Sequence, residues 1–413
     1  MKTYFIDLFR LPAAVRRFIA TESLLGVGIG IFALILNLHL LDRGVQERDI
    51  GAINAVAALI TGIASIPAGF AMRRIGRKRA LVAGLLLMAA GYAAYGVADE
   101  LPAFYAAQCV VSVGVTLLIT SEIQLLFRYC KEKKDEPRAY GALFASFTLF
   151  TGAGTLLAGW LPNVLPRGES QYSGALFVAA ISLCIAGLAR AVLLPAEPAE
   201  MSSKPNGSDN EERAETVPPK RDYRNVAVLA VFLFLSGILF GFVVPVLNVI
   251  VKLRFNLTDE PLSAIFAVYG FALFLGSLLM PYVLERWGIG RAFGKLYAAE
   301  LCLLVLLAAP LPVGAFIIPF VLRGGTYTML NNLAESQTMS AVRDDLRNIF
   351  AGVRSVARNL GVSLASLITG YVLTAKHYGW PFLLAAAAIL LHALYFYAAA
   401  KPLIEKKSEM NKL

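Results

Sequence analysis

The chain has 413 residues, of which 58% are hydrophobic and only 16% are charged. Soluble domains carry about 25% charged residues, so this composition excludes an ordinary soluble enzyme and predicts an integral membrane protein. The net charge of +10 would suit nucleic-acid binding in a soluble protein. Here the basic residues lie in short clusters between apolar stretches, a pattern typical of membrane topology, and we expect no nucleic-acid partner.

Twelve apolar stretches are long enough to cross a bilayer, which requires about 20 residues of helix. Membrane β-strands need only about 10 residues and alternate apolar with polar positions. The predicted fold class is therefore all-α, a polytopic membrane protein with twelve transmembrane helices. The predicted spans are 18–41, 50–72, 80–98, 102–127, 139–161, 172–194, 225–251, 262–284, 292–310, 315–339, 348–374 and 380–400.

The predicted spans form two sets of six. The first bundle covers residues 18–194, the second covers residues 225–400, and a polar, Pro-rich linker of residues 195–224 joins them. Such a composition is typical of a flexible segment. Residues 1–17 precede the first span, and residues 401–413 follow the last one as a tail.

Lys and Arg are distributed unevenly between the two ends of the predicted spans. If residues 1–17 are cytoplasmic, the inside segments hold 28 of the 38 Lys and Arg residues, and the outside segments hold 6. This bias follows the positive-inside rule. We therefore expect both termini and the linker to be cytoplasmic, in a bacterial inner membrane.

The two halves repeat a motif after the second and eighth spans. Gly69–Arg79 reads GFAMRRIGRKR, and Pro281–Arg291 reads PYVLERWGIGR. Each stretch ends a helix, places a charged pair, turns at a glycine and returns with basic residues. Glycine permits the tight turn, and the cations anchor it at the cytoplasmic surface.

A second repeat lies at the fifth and eleventh spans, where Gly152 follows Arg138 by 14 residues and Gly361 follows Arg347 by 14 residues. With the six-plus-six spans and both loop motifs, these features resemble the major facilitator superfamily (MFS). The Arg138–Gly141 stretch, RAYG, is similar to the family's entry to helix 5. The resemblance covers nearly the whole chain. It implies two pseudo-symmetric six-helix bundles around a central cavity and transport by alternating access.

Two positions depart from the family's pattern. The family's first loop motif usually carries an Asp that helps to latch the inner gate, but this chain has Arg73 there. The latch must therefore differ or use another acid. The drug–proton antiporter branch usually has an Arg in helix 4, where this chain has Gln108.

Charged residues within spans are costly and usually face a cavity or a partner. Arg358 lies roughly 16 Å from the inner end of its helix at 1.5 Å per residue, and Arg323 lies near the outer third of the tenth span. Guanidinium groups bind carboxylate or phosphate through paired donors, so both are candidates to bind an anionic substrate. The alternative is structural pairing, and Glu300 lies at a depth similar to that of Arg323. The further candidates for lining the substrate cavity are Tyr327, Asn331, Asn248 and Asn37.

Acidic residues supply the candidates for coupling and gating. Glu22 is the proton-coupling candidate, since a buried acid can be tuned to titrate near neutrality. Glu122 and Glu335 occupy similar positions near the inner ends of helices 4 and 10, where we expect them to pair with gate arginines and to break those pairs on opening. The full set of inner-gate candidates is Glu122, Glu335, Arg354, Arg138, Arg347, Arg73, Arg74, Gly76, Arg77, Glu285, Arg286 and Gly288.

The predicted function is a secondary transporter of a small organic molecule, most simply a proton-coupled exporter of a drug-like compound or an organic anion. The alternatives are a proton-coupled importer of an organic anion or sugar, and a membrane sensor or scaffold that transports nothing. No metal, cofactor or enzymatic chemistry is expected, because the sequence has no ligand spacing, phosphate loop or nucleophile–base set. The expected partners are the substrate, protons and the bilayer, and the expected state is a monomer.

Overall fold

A computed structural model describes residues 11–130, 132, 135–165, 170–197 and 220–410. The regular elements in these ranges are all helical. The first bundle contains six helices: α1 (Ala13–Asp42), α2 (Glu47–Ile75), α3 (Arg77–Val97), α4 (Leu101–Tyr129), α5 (Glu136–Val164) and α6 (Ser173–Leu193).

The second bundle also contains six helices, three of them irregular. Helix α7 runs from Lys220–Val243 through a 3-10 turn at Val244–Val246 into Leu247–Phe255. The stretch Asp259–Ala308 contains α8 (residues 259–287) and α9 (residues 289–308). The remaining elements are α10 (Val313–Ala341), α11 (Arg347–Thr374) and α12, which comprises Trp380–Tyr395, a π-helical turn at Phe396–Ala400 and Lys401–Met410.

The predicted all-α class and the count of twelve spans are confirmed. In the described ranges, 11 helical stretches are long and apolar enough to cross a membrane, and one of them holds both α8 and α9. These two helices meet at Gly288, whose backbone is not helical (φ 69, ψ 168). Gly76, between α2 and α3, has nearly the same conformation (φ 84, ψ 152). Residues with a side chain rarely adopt such a positive φ, so the repeated motif forms the same turn in both halves.

Glycines let equivalent helices of each bundle pack backbone to backbone. A Cβ atom at Gly30 of α1 would lie 2.2 Å from the Thr151 carbonyl oxygen of α5, and one at Gly361 of α11 would lie 2.2 Å from the Phe234 carbonyl oxygen of α7. Side chains at these positions would separate the helices. The α1–α5 and α7–α11 pairs are thus counterparts in the two bundles.

The ends of the predicted linker are ordered. The Tyr129 hydroxyl donates to the carbonyl oxygen of Pro195 at 2.9 Å, and α7 begins at Lys220. Arg343 donates to Asp222 at 3.0 Å. The central part of the predicted linker, residues 198–219, lies outside the described residues, as do residues 1–10 of the predicted lead-in and 411–413 of the predicted tail.

Candidate functional site

The two faces of the molecule differ in charge. We call the face with the α2–α3 and α8–α9 turns the basic face; it is the one expected to be cytoplasmic. At the opposite face, α2 of the first bundle touches α11 of the second, and a Cβ atom at Gly51 would lie 2.6 Å from the Cα atom of Gly370. A Cβ atom at Gly159 of α5 would lie 2.2 Å from the hydroxyl oxygen of Ser263 in α8. The opposite face is therefore closed between the bundles.

Two asparagines join α1 to α7 within this closed half. The Asn37 amide donates to the Pro245 carbonyl oxygen at 2.7 Å and to the Asn248 side-chain oxygen at 3.1 Å. The Asn248 amide donates to the Leu34 carbonyl oxygen at 2.7 Å. Both side chains are buried. The structure thus places two of the expected substrate ligands in a hydrogen-bonded contact between the bundles, at the 3-10 turn of α7.

A second polar network joins the bundles at the start of α6. The Tyr172 hydroxyl, at the start of α6, donates to the Asp259 carboxylate at 3.0 Å and accepts a hydrogen bond from Lys252 at 2.5 Å. Lys252 and Asp259 also form an ion pair with each other. Because Tyr172 belongs to the first bundle and its partners to the second, this network ties the bundles together.

Replacing Tyr172 by Phe should shift the molecule toward a state that is open at the opposite face. A hydrogen bond to a charged group contributes about 1.5–3 kcal/mol, so the open fraction should rise roughly tenfold. Labelling of Ser263→Cys by a membrane-impermeant maleimide, with the four native cysteines changed to serine, measures this opening. Asp99→Asn is the matched control, because the Arg43–Asp99 pair lies on the same face within one bundle. Equal labelling in Y172F and D99N would contradict the assignment.

A polar column runs along one face of α10. Arg323, Tyr327, Asn331 and Glu335 follow one another at four-residue intervals, so they lie on one side of the helix over roughly 18 Å. The first two side chains are buried and the last two are half-buried. The column therefore leads from the bundle interior toward the basic face.

The buried end of the column is an ion pair between α10 and α9. Arg323 Nε donates to Glu300 at 2.9 Å, and Thr326 donates to the second carboxylate oxygen at 2.8 Å. Both charged side chains are completely buried. The sequence-based suggestion that Glu300 pairs with Arg323 agrees with this contact. Within the described part of the chain, no hydrogen bond reaches Arg323 Nη1 and Nη2, the Tyr327 hydroxyl or Asn331 Oδ1.

At the partly exposed end of the column, two arginines of α11 pair with the carboxylate of Glu335. Glu335 accepts a hydrogen bond from Arg358 at 2.7 Å and is 2.7 Å from Arg354 Nη1 through its other oxygen. The Arg354 and Arg358 side chains are 33% and 23% exposed. Among the described residues this group has one carboxylate for two partly exposed cations, so it retains excess positive charge.

Packing positions Arg358 with respect to the column. A Cβ atom at Gly237 of α7 would lie 2.1 Å from the Arg358 carbonyl oxygen, so α11 is held against α7. The Arg358 guanidinium lies 5.6 Å from the ring centre of Phe240, which is 6.0 Å from the Tyr327 ring. The Arg323 guanidinium lies 5.1 Å from the centre of the same Tyr327 ring. Aromatic rings therefore link the two cationic ends.

The first bundle contains a compact charged cluster around Arg190, a residue that was not among the sequence-based candidates. Arg190 of α6 is completely buried and forms ion pairs with Glu22 of α1 and, at 3.0 Å, with Glu122 of α4. Its Nε donates to Thr21 at 3.1 Å, and its guanidinium lies 4.6 Å from the Phe18 ring centre. Two carboxylates here share one cation, the reverse of the Glu335 group.

The signal for Arg190 was present in the sequence as the single cation of the sixth span. An ionisable residue inside a span is by default a functional candidate. The sequence also placed Glu122 with the gate arginines, whereas the described partner of Glu122 is Arg190.

The remaining gate candidates lie on the basic face. Arg74, Glu285 and Arg286 are exposed, and Arg286 donates to the Tyr282 hydroxyl at 2.6 Å. Arg138 and Arg347 both make further interactions, and the side chain of Arg73 lies outside the described part of the structure. The ion pairs of Arg354 and Glu122 each join residues of one bundle, and that of Arg77 joins the first bundle to Glu197 of the predicted linker. A latch between the bundles on this face stays a prediction.

An acid from the predicted linker pairs with an arginine of the first loop motif. Glu197 accepts hydrogen bonds from the Arg77 backbone N–H at 2.7 Å and from its guanidinium at 2.8 Å. Arg128 of α4 lies 3.1 Å from the same carboxylate. Burial opposes ionisation, but the hydrogen bonds from Arg77 and the charges of Arg77 and Arg128 outweigh it and lower the pKa of Glu197.

Replacing Glu197 by Gln should destabilise the protein at pH 7 and have no effect in acid. Because the folded-state pKa of Glu197 is lowered, its contribution is present above the unfolded pKa of about 4.3 and is lost as the pH falls through the folded value. We expect a difference on the order of 1 kcal/mol at neutral pH, measured as the melting temperature against pH. Glu405→Gln is the control, since Lys401 lies 3.9 Å from it on the exposed C-terminal helix. A difference from the parent that did not shrink as the pH falls below the unfolded pKa would contradict this assignment.

Two pseudo-symmetric helical bundles, closed together at one face and carrying buried charge clusters, define a polytopic membrane transporter. The chain belongs to the Major Facilitator Superfamily, whose family model matches residues 19–366. The expected family resemblance is therefore confirmed. No curated protein matches the chain in a sequence comparison.

Solved structures share the fold at low sequence identity. The nucleoside transporter NupG matches with a TM-score of 0.75 and 14% identity, over 93% of this chain and 98% of that one. A bacterial homologue of the human lysosomal transporter Spinster, in an inward-facing conformation, matches with a TM-score of 0.75 and 13% identity, over 95% and 97%. The POT-family transporter PepTSo matches with a TM-score of 0.70 and 13% identity, over 94% and 98%. At these identities the likeness concerns the fold alone.

Proposed function

We propose that this transporter moves a small organic anion by alternating access, coupled to protons. The observation that carries the proposal is the Glu335 group, in which two partly exposed arginines share one carboxylate. An anionic substrate would neutralise the excess positive charge. A neutral or cationic substrate would leave that charge unbalanced within the membrane, which is costly.

Arg358 is the proposed primary ligand, because its side chain is partly exposed and its guanidinium can bind a carboxylate or phosphate group through paired donors,. Tyr327 and Asn331, which belong to the polar column of α10, offer a hydroxyl and an amide as further ligands. Arg323 is completely buried against Glu300. Its proposed role is to hold Tyr327 from beneath rather than to touch the substrate.

Glu335 is the proposed switch on the basic face. It occupies the same guanidinium that the substrate needs, so substrate and Glu335 compete for Arg358. Substrate binding releases the carboxylate from Arg358, and this change in pairing biases the bundle toward its other state. Arg354 retains Glu335 while Arg358 is engaged, which limits the cost of the exchange.

The proton site we propose is the Glu22–Arg190–Glu122 cluster. Its two carboxylates face one guanidinium, so a bound proton would bring the cluster to neutrality. Glu22 is nearly inaccessible, whereas the Glu122 side chain is 17% exposed. Glu122 thus offers an entry path from the basic face, and Glu22 is the proposed storage site.

Asn37 and Asn248 are proposed to form part of the gate at the opposite face rather than the substrate site. Across the closed contact the Asn37 amide already donates to the Asn248 side-chain oxygen, and the Asn248 amide donates to the Leu34 carbonyl oxygen. When that face opens, the separated amides become available to a substrate that enters or leaves.

The direction we propose is export, which follows from the resemblance to bacterial efflux-type members. Uptake of the same anion is the alternative with the same binding site. Vesicles of both orientations, with a proton gradient imposed, distinguish the two. A sensor or scaffold would move no substrate in either orientation.

The substrate class is tested by the melting temperature of the purified protein with organic anions, lipophilic cations and neutral sugars. A ligand of the folded state raises the melting temperature by mass action, by about 2.7 kcal/mol of stability at 100 times the Kd. Anions should stabilise the parent and not Arg358→Ala. Equal stabilisation of both proteins by lipophilic cations would make Arg358 structural and favour export of drug-like compounds.

A further inference from the structure

The basic face carries a cavity of about 630 Å³ where α8, α9 and α12 meet. It is separate from the polar column of α10. Its lining combines two aromatic residues, three cations and one acid: Trp287, Tyr397, Arg291, Lys295, Lys401 and Glu405. We call this cavity the Trp287 pocket.

The cations of the Trp287 pocket lie against its aromatic rings. Lys295 Nζ is 4.0 Å from the ring centre of Trp287, and Lys401 Nζ is 5.5 Å from that of Tyr397. Glu405 is 3.9 Å from Lys401, beyond hydrogen-bond distance. With Arg291, the described residues that line the pocket supply three cations against one carboxylate, and an anionic ligand would balance them.

Helix α12 places the cations of the Trp287 pocket beside an exposed apolar surface. The π-helical turn at Phe396–Ala400 carries Tyr397, and Lys401 follows it directly. Such turns are frequent at functional sites. Leu390, Leu394 and Tyr397 are 49%, 67% and 48% exposed and lie on one side of the helix by their spacing. A cationic pocket thus lies at the end of an exposed apolar stripe, with Trp and Tyr at the level where such residues mark the membrane interface.

We propose that the Trp287 pocket binds the headgroup phosphate of an anionic phospholipid, whose acyl chain lies along the α12 stripe. A basic pocket between membrane helices on the cytoplasmic side is suited to lipid phosphates. A soluble anion would use the cations but would gain nothing from the apolar stripe. The site is independent of the proposed substrate and proton sites.

The corresponding cavity of the first bundle lacks these features. It measures about 660 Å³ and includes Lys78, Arg79 and Glu197, with no aromatic residue among those that line it. Lys78 donates to the carbonyl oxygens of Ala191 and Leu194 at 2.8 and 2.6 Å. Its charge is therefore already engaged at the end of α6, and this cavity supplies a matched control.

Native mass spectrometry of the full chain in detergent tests the proposal. The parent should retain phosphatidylglycerol in preference to phosphatidylcholine when both are supplied equally. Each cation near the surface contributes a factor of about 5 in affinity, so Lys295→Gln with Lys401→Gln should weaken phosphatidylglycerol binding roughly 20-fold. Lys295→Arg with Lys401→Arg keeps both charges and should bind as the parent does.

Two controls separate the lipid from other ligands and sites. Arg79→Gln, in the other cavity, should leave phosphatidylglycerol binding unchanged, and millimolar glycerol phosphate should not displace the lipid. Equal retention of both lipids by the parent overturns the proposal without recourse to any variant. Parent-like binding by the double Gln variant, or displacement by glycerol phosphate as effective as by lipid, overturns it as well.

Discussion

Replacing Arg190 by Gln should lower the melting temperature of the purified protein by roughly 10 °C. Breaking a buried pair by removing one partner costs about 3–5 kcal/mol, because an uncompensated charge stays behind. For a unit of roughly 150–250 residues, the size range of one bundle, each kcal/mol shifts the melting temperature by about 2–4 °C. Arg190 is completely buried and faces two carboxylates. The packing of α1, α4 and α6 should loosen, since this side chain touches all three helices.

A second substitution shows whether Arg190→Gln destabilises the protein through lost charge balance or through lost packing. Arg190→Gln combined with Glu22→Gln leaves Glu122 alone, which is partly exposed, so much of the stability should return. Glu22→Gln by itself keeps one carboxylate with the cation and should cost less than Arg190→Gln. A double variant as unstable as Arg190→Gln would show that Arg190 acts through packing, against Phe18 and Thr21, and would weaken the proton site.

Replacing Glu335 by Gln should tighten anion binding while slowing transport. The carboxylate that competes for Arg358 is removed, and a charge-assisted hydrogen bond contributes about 1.5–3 kcal/mol, so the Kd for the substrate should fall at least about tenfold. The transport rate should fall, because the pair that reforms on release drives the return step. Titration of the melting temperature with substrate gives the affinity, and proteoliposome flux gives the rate.

The matched control is Glu285→Gln, which removes the same charge from an exposed position on the basic face. It should leave the affinity for the substrate unchanged. If E285Q tightened binding as much as E335Q, the effect would be a general attraction of anions to the basic face. If E335Q weakened binding, Glu335 would instead hold Arg358 in its binding position.

Composition and patterning alone determined the class of fold. The length of the apolar stretches requires helices, because backbone groups within a bilayer must be hydrogen-bonded inside their own segment. The repeated turns at Gly76 and Gly288 could be predicted from the sequence, because a turn with positive φ favours glycine,. The pairing of Glu300 with Arg323 was accessible as well, since depth along a helix follows from counting residues.

For the other charged groups, only the tertiary structure decided which of them meet. Depth does not determine the direction in which a side chain points, and helices from distant parts of the sequence adjoin one another. Arg190 therefore brings Glu22 and Glu122 together across 168 and 68 positions of sequence, and Glu197 reaches back 120 positions to Arg77. Asn37 and Asn248 read as polar cavity residues in the sequence, but the closed contact between α1 and α7 turns them toward each other. A charge within a membrane helix reveals that a partner is needed, and the packing of the helices selects that partner.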